Sequence, residues 1–63
     1  MCLSTVYITD ESGERTKVAD CITTVSVDGQ TVTVTDIMGT STVLEGTIVS
    51  VDLVGNTLVL AGR

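Results

Sequence analysis

From Cys21 to Val27 and again from Thr31 to Thr35, apolar residues alternate with small polar ones, the two-residue period of a pleated strand with one buried face. Asp28-Gly29 stands between these runs and is a strong hairpin signal, because both residue types tolerate the positive φ of a two-residue loop. A loop there sets Val25 opposite Val32 and puts Val25, Val27, Val32 and Val34 on one face, with the threonines mostly on the other. Alternation also predicts a first strand over Leu3 to Thr9, the turn composition Asp10-Glu11-Ser12-Gly13, and a second strand over Glu14 to Ala19. After a corner at Ile37-Met38-Gly39-Thr40, Ser41 to Glu45 reads as a short strand, and Gly46 permits a bend into Thr47 to Val54. A two-residue turn at Gly55-Asn56 then sets Leu53 opposite Leu58 and Val51 opposite Leu60.

The chain has no proline and no long helical period. Six or seven short strands at this spacing predict an all-β fold: one small antiparallel barrel, SH3-like or Sm-like, over residues 1–63. An incompletely closed barrel leaves an edge that a second copy can pair with, so a homodimer is an open expectation.

A chain of 63 residues buries only about 60% of the surface its unfolded form exposes, and folds this small are commonly reinforced by disulfides, metal or oligomerisation. Only two cysteines are present, Cys2 and Cys21, and the uncharged, already alternating start lacks the basic and continuously apolar pattern of a signal peptide. The expectation is a cytoplasmic protein with reduced thiols. Threonine, serine and aspartate interrupt every apolar run well short of the roughly 20 residues of a spanning helix, so no membrane role is expected. The net charge of -5 sets only Arg15, Lys17 and Arg63 against eight carboxylates, and Tyr7 is the only aromatic residue. That balance argues against nucleic acid, whose binding needs cations and favours stacking surfaces.

With no histidine, a serine triad and a Cys-His pair are excluded, and the scattered glycines form no phosphate loop, so no enzyme is expected. Asp10, Glu11 and Glu14 fall together at the first turn, where solvated charge is the ordinary outcome. Cys21, between Asp20 and Ile22 and outside any CxxC spacing, reads as a small buried hydrophobe. Cys2 differs, because the terminus adds nitrogen donors. If Met1 is retained, its amine, the Cys2 amide nitrogen and the Cys2 thiolate can close two fused five-membered chelate rings; if it is removed, the Cys2 amine and thiolate close one. A thiol near pKa ~8.5 and an amine near ~7.8 both yield their protons to a strong metal. Planar nitrogen donors favour Ni(II) or Cu(II), while thiolate also suits Zn(II) and Cu(I). Two termini meeting in a dimer would complete four-coordination. On the residues alone, a single terminal thiol reads as a chance cysteine before it reads as a ligand.

Met1-Cys2-Leu3-Ser4-Thr5-Val6-Tyr7, followed by Asp28-Gly29, a Thr-Val strand and a terminal Val51-Asp52-Leu53 hairpin, resembles the CooT family over essentially the whole chain. The resemblance implies a small β-barrel that binds Ni(II) in connection with maturation of nickel-dependent carbon monoxide dehydrogenase. It also implies Cys2 as the metal-binding cysteine, the one residue that transfers, and cysteines contributed at a dimer interface; Met1 is a candidate partner through its amine alone. The implied function is a metallochaperone or nickel store, with carbon monoxide dehydrogenase or its maturation proteins as partners. The competing reading is a non-catalytic interaction module with an acidic surface and no physiological metal.

Overall fold

A computed structural model describes residues 3–62. Five strands follow one another: β1 (Ser4–Thr9), β2 (Arg15–Asp28), β3 (Thr31–Asp36), β4 (Ser41–Asp52) and β5 (Thr57–Gly62). Each pairs antiparallel with the next, and β1 pairs parallel with β5, so the sheet closes into an all-β barrel. The expected barrel is present, with five strands instead of six or seven and one parallel seam. The difference arises because two pairs of predicted strands are continuous. β2 runs 14 residues through Cys21 and β4 runs 12 through Gly46, bending where a break was expected.

Each bend lets one strand serve two neighbours. β2 pairs with β1 from Arg15 to Ala19 and again at Ile22, and with β3 from Ile22 to Asp28. Cys21 sits between these stretches at φ 55°, and its carbonyl accepts a hydrogen bond from the Ile37 amide at 2.9 Å. The position exposes its side chain, so Cys21 is not the buried hydrophobe its flanking sequence suggested. β4 pairs with β3 up to Glu45 and with β5 from Gly46. Gly46 has φ 156°, its amide donates to the Gln30 carbonyl at 2.8 Å, and a Cβ there would collide with the Ala61 carbonyl oxygen.

The core is purely aliphatic. Val6, Ile22, Val32, Val34, Leu58 and Leu60 form the buried cluster, with Ile8, Val18, Ala19 and Leu44 packed against it. β3 keeps the predicted alternation, Val32 and Val34 inside and the threonines partly covered.

Both predicted hairpins exist with their turns displaced. The first loop is Gly29-Gln30, which pairs Val27 with Val32 and Val25 with Val34. Gly29, at φ 63°, takes the first loop position, where a primed turn requires positive φ, and Asp28 stays in the strand. The four valines still share a face, but Val25 and Val27 are exposed. In the last hairpin, Val51 pairs with Leu58 and Ile48 with Leu60, leaving a four-residue loop over 53–56. The Asp52 carboxylate explains the longer loop, accepting the Val54 amide at 3.0 Å and the Gly55 amide at 2.9 Å.

The bends generate opposite expectations. Gly46→Ala should lower stability by about 3 kcal/mol, since backbone must move to admit the methyl group, and a fall in the urea midpoint would show it. Cys21→Gly should raise stability slightly, by about 0.5 kcal/mol, read as a higher urea midpoint, because relief of a left-handed penalty of about 1–2 kcal/mol exceeds the entropic cost of glycine.

Candidate functional site

Three of the carboxylates are engaged in building turns. Asp10 Oδ1 accepts the Ser12 amide, the Ser12 hydroxyl and the Glu14 amide at 2.9, 2.6 and 3.0 Å. Asp36 Oδ1 accepts the Met38 and Thr40 amides at 2.9 and 3.0 Å. Asp10-Glu11-Ser12-Gly13-Glu14 and Asp36-Ile37-Met38-Gly39-Thr40 are one device used twice. Each has glycine in the fourth place, at φ 87° and 88°, with its amide donating to the aspartate carbonyl at 3.0 Å. Asp52 is the third such cap. These oxygens are acceptors for backbone amides that would otherwise lack a protein partner.

Lys17 and Asp20 make an ion pair at 3.3 Å, both side chains more than half exposed, a contact of small energetic weight. Glu45 accepts the Thr31 hydroxyl at 3.1 Å. Asp10, Glu11 and Glu14 are exposed as expected of solvated turn charge. Among the described residues, no group of three or more cysteines, aspartates or glutamates is placed to hold a metal ion, and no helix is long and apolar enough to cross a membrane. The expected ligands, Cys2 and Met1, lie outside the described residues.

One surface feature went unforeseen. Val25, Val27, Ile48, Val51 and Leu53 line a groove of about 330 Å³ with Ser4, Asp52, Thr57 and Leu58. Past the two bends, 23–28 in β2 and 47–52 in β4 are exposed throughout, valines included. The signal for it lay in strand lengths. β1 has six residues and cannot cover a partner of 14, so the inward valines at the far end of β2 face an open trough.

A family model described as CO dehydrogenase accessory protein CooT matches residues 1–61. The chain belongs to the CooT family. A crystal structure of a candidate CooT from Carboxydothermus hydrogenoformans is similar in fold, with a TM-score of 0.86 over 98% of each chain at 14% sequence identity. No curated protein matches the chain. Membership brings the coarse role with it: CooT proteins are accessory to CO dehydrogenase.

The carboxylate cap at Asp10 carries a pH signature. The Ser12 hydroxyl first, then the Glu14 amide, hold the Asp10 pKa below its ordinary 3.8. A carboxylate depressed in the folded state stabilises the fold fully above 3.8, and that contribution disappears as pH falls through the lower folded value. Ser12→Ala should therefore move the Asp10 midpoint upward toward 3.8, read from its carboxyl carbon by NMR; an unmoved midpoint would contradict the assignment of cause. At the sister turn, Asp36→Ala should cost about 1 kcal/mol in urea denaturation through loss of two backbone acceptor bonds.

Proposed function

We propose that this protein is a nickel-binding accessory protein, a metallochaperone or nickel store, that supports maturation of nickel-dependent CO dehydrogenase in the cytoplasm. The observation that carries the reading is the family match, which begins at Met1 and so includes the Met1-Cys2 pair. The Cys2 thiolate is the principal ligand, with the Met1 amine and the Cys2 backbone nitrogen as partners. Donor chemistry supports it: thiolate and amine within one short segment chelate without help from the fold, and planar nitrogen suits Ni(II). A terminal site with two or three donors from one chain holds its cargo openly, as a protein that must surrender it requires, whereas a closed four-cysteine cage would retain it.

Two such termini supply a complete donor set, so the proposal extends to a homodimer bridged by one metal. Metal occupancy then promotes assembly, because an ion that binds the paired state more tightly than the single chain shifts the equilibrium toward the pair. The accessory role is non-catalytic, and the receiving partner is CO dehydrogenase or another of its maturation proteins.

Calorimetric titration of the reduced protein with Ni(II) should show saturable binding at one metal per chain or per pair. Cys2→Ser should abolish it while leaving the far-ultraviolet circular dichroism of the barrel unchanged. Equal nickel affinity in the two proteins would defeat the proposal.

A further inference from the structure

The hairpin that joins β2 to β3 places an aspartate directly before a glycine. The five aspartates of the chain are followed by Glu11, Cys21, Gly29, Ile37 and Leu53. A backbone amide attacks the preceding side-chain carboxyl most readily when its own residue has no Cβ to crowd the approach, and Gly29 alone of the five meets that condition.

The carboxylates also differ in how firmly they are held. Asp10, Asp36 and Asp52 each accept two backbone amides, and Asp20 pairs with Lys17. Asp28 is exposed, and its side chain makes no hydrogen bond or ion pair among the described residues. The nitrogen that would attack it is equally free. The Gly29 amide has no acceptor among the described residues, whereas the Ile37 amide after Asp36 donates to the Cys21 carbonyl. A Cβ built at Gly29 would meet nothing within 4 Å, so open space surrounds the reacting pair.

Place in the ladder supplies the motion that the reaction needs. Asp28 and Thr31 make the last rung of the β2–β3 pairing, next to the loop, where paired strands open most easily. Gly29, at φ 63°, adds freedom to turn its peptide plane toward the Asp28 side chain.

We propose that Asp28 is a self-modification site, at which the Asp28-Gly29 linkage isomerises through a cyclic imide. The Gly29 nitrogen forms a bond to Cγ of the protonated Asp28 carboxyl, and the carboxyl hydroxyl leaves as water with the amide proton. Water then opens the ring. Attack at Cγ restores aspartate. Attack at the main-chain carbonyl breaks its bond to the Gly29 nitrogen, frees an α-carboxylate and leaves the backbone running through Cβ and Cγ. Water is the only co-reactant, and the net charge is unchanged.

The product adds a methylene to the backbone beside a loop of two residues. Within that loop the Gln30 carbonyl accepts the Gly46 amide at 2.8 Å, so a change at the turn reaches the bend of β4. The freed α-carboxylate is the group that isoaspartyl methyltransferases esterify with S-adenosylmethionine.

The test incubates the whole reduced protein at neutral pH in heavy-oxygen water, beside Asp28→Glu, which keeps the charge but would need a larger ring. Tandem mass spectrometry should place heavy oxygen at Asp28 in at least about tenfold excess over each other aspartate, the factor that a barrier lower by about 1.4 kcal/mol produces. An isoaspartyl methyltransferase given labelled S-adenosylmethionine should methylate the incubated protein and leave Asp28→Glu unlabelled. In the isomerised fraction, separated by chromatography, the urea midpoint should fall and the Gly46 amide should exchange faster with solvent. Heavy oxygen spread evenly over the five aspartates, isomer that forms only in urea, or equal methylation of the two proteins would overturn the proposal. A turn covered by a second copy would show as isomer in dilute solution only, and would overturn it as well.

Discussion

At Gly46 the backbone of β4 passes against the Ala61 carbonyl so closely that no Cβ fits between them, and the Gly46 amide reaches the Gln30 carbonyl at the β2–β3 turn. That approach lets one strand leave β3 and join β5 without a connecting loop. The bend at Cys21 does the same between β1 and β3. A chain of 63 residues has little length for connections, and strands that change partner while continuing leave most of it in the barrel wall. The cost is backbone strain at two points, one relieved by glycine and one borne by a cysteine in a left-handed conformation.

Alternation of valine and threonine made the barrel legible, because period two fixes which side of a strand faces inward whatever its exact partner. Both hairpins illustrate this. Each turn lies one position away from its expected centre, yet the displacement keeps Val25, Val27, Val32 and Val34 on one face. The turn positions themselves were decided by groups that composition does not rank: Gly29 fits the first loop position, and the Asp52 carboxylate collects two amides. Strand count was misread because Cys21 and Gly46 resemble interruptions, and only the ladder on either side shows that pairing continues through them.

The proposed metal site rests on the sequence alone and lies outside the described residues. Met1-Cys2 carries its meaning in covalent chemistry, thiolate and amine side by side, which needs no fold to be recognised. The groove needed the fold. Val25 and Val27 are indistinguishable from core valines in sequence, and their exposure depends on β1 being shorter than the partner it would have to cover. Carboxylates were the reverse case: the sequence reads Asp10, Glu11 and Glu14 as solvated turn charge, and the geometry gives Asp10, Asp36 and Asp52 to backbone amides.

The parallel seam between β1 and β5 has a kinetic meaning. Thr5 meets Thr57 and Thr9 meets Ala61, so the ladder that closes the barrel joins the two extremes of the described chain. Every other ladder follows a local turn or bend, whereas this one must enclose nearly the whole polypeptide and is limited by the entropy of a long loop. Hairpins can form early, but Val6 and Leu60 become fully enclosed only when that ring shuts. The strand that leads to the terminal thiol is therefore seated last, and it is held by the residues farthest from it in sequence.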